Sequence, residues 1–241
     1  MLSNIRVVLS NTSHPGNIGA TARAMKTMGL ACLYLVRPGR YPDAEATARA
    51  SGADDVLAAA QVCANIDEAL QGCTLVLGAS ARARRIPVPL IDPGRGAAML
   101  RSESEAGRVA VLFGCERSGL SNAEIDRCNY LLQIPTSAEY GSLNLAAAVQ
   151  IICYEIFVAH AAARPVEAAP GHVPVSADEM ERFYRHLEET LIALDFLDPS
   201  NPRMLMRRLR RLYNRARPDA NEVNILRGIL TAAAQAGNRN G

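Results

Sequence analysis

Four short stretches of this 241-residue chain set glycines, hydroxyls, amides and isolated charges at spacings that could hold a polar ligand and act beside it. In NTSHPGNIGATARAMK, residues 11–26, Asn17, Ala20 and Arg23 fall at i, i+3 and i+6, so Asn17 and Ala20 share a helix face with Arg23 near it. Free amides at a Gly- and Asn-rich helix start attract anions, and an arginine one or two turns in adds a bidentate phosphate ligand. In GASARARR, residues 78–85, Ala79, Ser80 and Ala81 let a ligand approach the backbone, while Arg82, Arg84 and Arg85 make a basic edge. In FGCERSGL, Gly114 and Gly119 permit tight turns and Glu116 can orient a cation or a hydroxyl. In IPTSAEYGSLNLAAA, a strand ends at Ile134 and Pro135, then Gly141, Ser142, Leu143 and Asn144 lead into an Ala-rich helix.

The elements around these stretches alternate. Residues 5–9, 32–36 and 75–78 are short β-branched or leucine-rich strands, and a helical pattern carried by Ile18, Ala22, Met25 and Met28 ends at Gly29. Residues 43–51 read as a helix supported by Glu45 and Arg49 four apart, whereas 56–62 and 66–70 are helix or strand. Strand, helix, strand, helix, strand predicts an α/β domain over residues 1–163 with a parallel sheet flanked by helices. In such a sheet ligands sit beyond the carboxyl ends of the strands, where the four stretches fall.

Residues 164–175 carry prolines and a glycine without periodicity and read as a linker. Beyond it, Ser176 and Glu179 form a capping box before Met180, Phe183, Leu187, Leu191 and Leu194 at helical spacing. Asn201 and Pro202 supply an N-cap and N1 proline for a second helix with Leu205, Leu209 and Leu212 on one face, and Asp219 with Glu222 starts a third. Residues 176–241 are thus expected to be a small helical module. Arg207, Arg208, Arg211 and Arg215 share a broad face of its second helix, opposite the leucines, as a nucleic-acid backbone would require.

Composition excludes several classes. The formal net charge is only +2, so it is the clustering of arginine rather than its sum that suggests an anionic partner. Six cysteines without a CxxC pair suggest reduced thiols in a cytoplasmic protein, with neither a zinc site nor a disulfide framework. No run is long enough for a membrane span, and no GxGxxG turn follows the first strand, which sets aside a dinucleotide oxidoreductase.

In this order the motifs resemble the SPOUT superfamily of RNA methyltransferases, in its ribose 2'-O-methylating branch. Asn17, Ala20 and Arg23 match NxxAxxRxA, although its final Ala falls at Ala24 rather than Met25; residues 113–120 match FGxExxGL, and Ile134, Pro135, Ser142, Leu143, Asn144 and Ala148 match IPxxxxxxSLNxxxA. The long helix-start run, EYGSLNLAAAVQ, RFYRHLEETL, LRRLYNRARP and NILRGIL are similar to bacterial tRNA 2'-O-methyltransferases of the TrmJ type over essentially the whole chain. The resemblance implies S-adenosylmethionine as donor, a homodimer, a tRNA substrate (no DNA) methylated on cytidine or uridine at position 32 of the anticodon loop, and a C-terminal deep trefoil knot in the catalytic domain. Physical reasoning alone would draw an unknotted sheet.

It also implies donor contacts from Ala79, Ser80, Ala81, Gly114, Ile134, Gly141, Ser142 and Leu143. Arg23, Asn17, Glu116, Ser142 and Asn144 would serve catalysis, and Arg82, Arg84 and the tail arginines would bind RNA, with no metal. A guanidinium is almost always protonated, so anchoring the neighbouring phosphate suits Arg23 better than a base role. Cys115 stands where the family often has Arg, Ala79 where Thr is frequent and Val88 where Trp is frequent. Alternatives in view are a ribosomal RNA substrate and a non-catalytic RNA-binding protein of the same fold.

Overall fold

The computed structural model describes residues 1–80, 88–161 and 173–237. The short apolar runs form seven strands: β1 (Ile5–Ser10), β2 (Cys32–Val36), β3 (Gln61–Cys63), β4 (Cys73–Ala79), β5 (Leu90–Ile91), β6 (Arg108–Phe113) and β7 (Tyr130–Leu132). They make one sheet in the order β3-β2-β1-β6-β4-β7-β5, with every pairing parallel. Successive strand residues point to opposite faces, and β6 shows it: Val109, Val111 and Phe113 enter one core, Ala110 and Leu112 the other. Both faces are covered, as parallel sheets require.

The first core lies under α1 (Pro15–Thr27), α5 (Pro93–Ala106) and α7 (Leu145–Ala161), which bring Ile18, Leu100 and Val149 to the sheet. The stretch left open between helix and strand resolves into α3 (Asp54–Ala58), β3 and α4 (Ile66–Leu70), after α2 (Ala44–Ala50). Neither α5 nor β5 was foreseen. Asp92 caps α5, accepting from Arg95 N at 2.9 Å, and Pro93 opens it, but its buried face is mostly small: Gly96, Ala97 and Ser104 beside Leu100. Such a face leaves little periodic hydrophobic signal.

The second core includes Leu70, Leu120, Ile125 and Leu131 around the short helix α6 (Asn122–Ile125). Against that side sit α8 (Ala177–Ala193), α9 (Leu205–Ala216) and α10 (Ala220–Gly237), which form a third core from Met180, Phe183, Tyr184, Leu187 and Val223. Phe183 and Tyr213 meet edge to face at 4.9 Å. The capping box of Ser176 and Glu179 opens α8, and Asp219 and Glu222 cap each other's backbone at 2.9 Å to open α10. Much of the expected linker lies outside the described residues, but Val175 is buried and its N–H donates to Pro218 O at 3.0 Å.

The second of these helices departs from expectation in two ways. It begins at Leu205 with Met204 as N-cap, not at Asn201, because Arg203 holds a positive φ of 48° that a right-handed helix cannot pass through. Its inward face is mixed: Met206, Leu209 and Tyr213 pack against the third core, Asn214 is buried beside them, and Leu212 is 45% exposed. The reason is polar: Asn214 Nδ2 donates to Asp126 O at 3.1 Å, and Asn214 Oδ1 accepts from Tyr184 Oη at 2.7 Å. Ion pairs fasten the rest, Arg207 to Asp126 at 2.8 Å and Arg217 to Glu103 at 2.9 Å.

Candidate active site

The carboxyl ends of β4, β6 and β7 meet at one place, as the fold class predicts. Beyond β6 the chain turns back on itself: Gly119 N donates to Cys115 O at 2.7 Å, and Cys115 and Gly119 form an isolated antiparallel bridge. Gly119 has φ +66°, and a Cβ on Gly114 would stand 2.2 Å from the Gly119 carbonyl carbon. Only glycines let this hairpin close. Beyond β7 the chain runs extended past Ile134, loops through residues 136–143 and enters α7, whose first amides donate to Asn144 Oδ1, Ala146 N at 2.9 Å and Ala147 N at 3.4 Å. Asn144 is thus an N-cap.

These three loops enclose a cavity of about 150 Å³. Of the expected donor-binding residues, Ala79, Ser80, Gly114, Ile134, Gly141, Ser142 and Leu143 line it, and so does Glu116, expected to serve catalysis. Ala81, Arg82 and Arg84 lie outside the described residues. The sequence did not single out Leu132 and Leu145 of the apolar wall, nor the hydroxyl of Thr136, whereas Phe113 and Ala148 of that wall entered as motif positions without an assigned contact. Strand-end and helix-start apolar residues look like ordinary core from spacing alone, and here they serve as both.

A polar chain ties the cavity rim to α1. The Glu116 carboxylate accepts four hydrogen bonds: from Ser13 N and Ser13 Oγ, both at 3.1 Å, from His14 N at 3.2 Å and from Asn17 Nδ2 at 3.0 Å. The amide of Asn17 is used at both ends, since its Oδ1 accepts from Asn144 Nδ2 at 3.1 Å. Burial pushes the Glu116 carboxyl up, but hydrogen bonds from Asn17 and from the backbone N–H groups of Glu116, Ser13 and His14 outweigh it, and the net shift is downward. Glu116 is held ionised and fully engaged, as an organiser of the loops.

Arg23 does not join this cluster. It is exposed on α1, beyond the lining of the cavity, and its side chain makes no hydrogen bond or ion pair among the described residues, while its backbone carbonyl accepts from Thr27 Oγ1 at 2.8 Å. The tail arginines divide. Arg208 and Arg215 are exposed, Arg211 is half-buried, and Arg207 turns inward to Asp126 instead of lying on an outer arginine face.

Comparison with known proteins accords with this geometry. Residues 4–154 match the SpoU rRNA Methylase family, and residues 178–241 match the C-terminal domain of tRNA methyltransferase TrmJ. The tRNA (cytidine/uridine/adenosine-2'-O-)-methyltransferase TrmJ of Pseudomonas aeruginosa (strain UCBPP-PA14) is 54% identical over 241 residues, covering 96% of this chain and 94% of its own length. The tRNA (cytidine/uridine-2'-O-)-methyltransferase TrmJ of Sodalis glossinidius (strain morsitans) is 50% identical, with 96% and 92% covered. The crystal structure of TrmJ from Z. mobilis ZM4 superposes with a TM-score of 0.83 at 31% identity, covering 94% of this chain and 97% of that one. The chain therefore belongs to the SpoU methylase family and, within it, to the TrmJ group.

Proposed function

We propose that this chain transfers the methyl group of S-adenosylmethionine to the ribose 2'-hydroxyl of cytidine or uridine in tRNA, at position 32 of the anticodon loop, as a cytoplasmic homodimer. The observation that carries the reading is the cavity at the three strand ends, latched through Glu116, Asn17 and Asn144.

The cavity suits the donor chemically. Phe113, Leu132, Ile134 and Leu145 offer an apolar wall for an adenine ring, while peptide groups of residues 79–80, 114–116 and 141–143 with the Thr136 and Ser142 hydroxyls offer partners for a ribose and an amino acid. When bound, the donor supplies a methyl already activated by a sulfonium, so the protein has to align the acceptor oxygen and manage its proton. Ser142, which lines the cavity, polarises the 2'-hydroxyl. Glu116, Asn17 and Asn144 are positioning residues, because their polar atoms are already committed to one another and to backbone. Arg23 anchors the adjacent phosphate, which places the hydroxyl.

Three further features favour the finer parts of the reading. The outer face of α7 leaves Tyr154 52%, Phe157 44% and Val158 40% exposed, an apolar surface suited to a second copy. In a dimer closed there, Arg23, exposed on the neighbouring α1, serves the partner's cavity. The strand order, with β7 inserted between β4 and β5, is compatible with the trefoil knot of the superfamily. The match of residues 178–241 to the TrmJ C-terminal domain favours tRNA over ribosomal RNA.

The test is a radiolabelled methyl-transfer assay with bulk tRNA and, separately, ribosomal RNA. Label in tRNA alone is expected; label in ribosomal RNA alone, or in neither, would reject the reading.

A further inference from the structure

The run EYGSLNL before α7 holds an aromatic side chain that the site described so far does not use. Gly141, Ser142 and Leu143 line the cavity, but Tyr140, the residue before them, does not. Its side chain is 78% exposed, more than any other large apolar side chain among the described residues. Among those residues neither its ring nor its hydroxyl has a hydrogen bond or ring contact; only its backbone N–H is engaged.

The backbone beneath the ring is braced on both sides. Tyr140 N donates to Ser137 Oγ at 3.1 Å, which closes residues 137–140 into a turn. A Cβ on Gly141 would stand 3.2 Å from Thr136 Oγ1, so the end of the loop lies against its start. Just beyond, Asn144 is tied to Asn17 at 3.1 Å. A tethered loop beside the donor cavity thus holds out an aromatic ring with nothing on it, and such a ring gains most from a flat apolar partner laid over it.

The surroundings decide what that partner is. Residues 136–143 contain one charged side chain, the exposed carboxylate of Glu139. An acidic loop disfavours a phosphate, whereas a nucleobase is uncharged and offers its π-face to an aromatic side chain. Two residues of chain span at most about 7 Å, so Tyr140 stands within a nucleotide's length of Ser142, the residue assigned to the 2'-hydroxyl. We propose that Tyr140 stacks on the base of the nucleotide whose ribose is methylated and so positions its 2'-hydroxyl, an assignment that rests on the tRNA methylation reading above. A nucleotide in a loop can be splayed out for such a contact. Stacking needs a π-face and reads no base edge, so cytidine and uridine are held alike.

The experiment pairs the full chain and its Y140A and Y140F variants with tRNA carrying, at the methylated position, either the natural base or an abasic ribose that keeps its 2'-hydroxyl. Methyl-transfer kcat and KM, tRNA affinity across a salt series, donor affinity, sedimentation and thermal unfolding are measured for each protein. On intact tRNA, Y140A should lower kcat/KM about tenfold, and Y140F should recover most of that loss. On abasic tRNA, Y140A should match wild type, because both changes remove the same stack. The salt slope should not move, since no phosphate contact is lost, and donor affinity, oligomeric state and melting temperature should stay at their wild-type values. Wild-type activity of Y140A on intact tRNA, or an equal tenfold loss on abasic tRNA, would overturn the stacking assignment. A fall in donor affinity or a change in oligomeric state would also overturn it, placing Tyr140 in the donor pocket or between subunits. Wild-type protein that transfers no methyl group, yet binds intact tRNA more tightly than Y140A and abasic tRNA equally well, would uphold the stack and reject the methyltransferase reading.

Discussion

The side chains of Asn17 and Glu116, 99 positions apart, are joined by a 3.0 Å hydrogen bond that fixes the start of α1 to the hairpin after β6. Three more donors from Ser13 and His14 converge on the same carboxylate, so ionised Glu116 is the hub of the cavity rim. Glu116→Gln puts a donating amide among these donors and should weaken S-adenosylmethionine binding about tenfold, the loss of roughly one charge-assisted hydrogen bond, read by calorimetry. The pH dependence has a defined sign. The folded carboxyl lies below its ordinary 4.5, so its stabilisation is complete above that value and is lost as pH falls through the folded value. The stability gap between wild type and E116Q, followed by thermal unfolding from neutral pH downwards, should narrow in acid; a constant gap would count against the hub.

Much of this arrangement was legible residue by residue and not as a whole. Asn17, Glu116 and Asn144 stood out because each is a polar side chain at a turn or helix start. Spacing could not show that one amide, Asn17, joins the other two, since that depends on β6 lying beside β1 in the sheet. The seven-stranded parallel sheet followed in kind from alternating apolar runs, whereas its order did not. The helix carrying Arg207 was legible only in part: Leu209 packs inward with Met206 and Tyr213, but the seat also offers backbone carbonyls and carboxylates, so Asn214 and Arg207 face inward as well and Leu212 turns outward.

Arg23→Ala should lower methyl transfer to tRNA by about 100-fold or more, the scale of losing a positioning contact to the reacting group, while donor affinity stays at the wild-type value. Arg23 is exposed and absent from the cavity lining, so equal loss of donor affinity in calorimetry would show that its role has been misassigned.

Gly114→Ala places a Cβ 2.2 Å from the backbone of Gly119. The hairpin must open to admit it, at about 1–3 kcal/mol. Chemical denaturation should register that loss together with impaired donor binding; wild-type stability would mean the hairpin is softer than its close approach indicates.

Asn214→Ala removes the buried amide that bonds Tyr184 and the Asp126 carbonyl. Tyr184 Oη keeps its 3.3 Å bond to Arg210 O, but the Asp126 carbonyl loses its donor, which should cost about 1–3 kcal/mol, seen as a lower denaturation midpoint. Donor affinity should be unchanged, because the cavity lies elsewhere on the sheet.

The most direct test of the central claim is mass-spectrometric mapping of unmodified tRNA incubated with the protein and S-adenosylmethionine. The account predicts a single added methyl on the ribose of cytidine or uridine at position 32 with wild-type protein, and none with R23A. A methyl on a base, a methyl at another nucleotide, or an unmodified position 32 would contradict it.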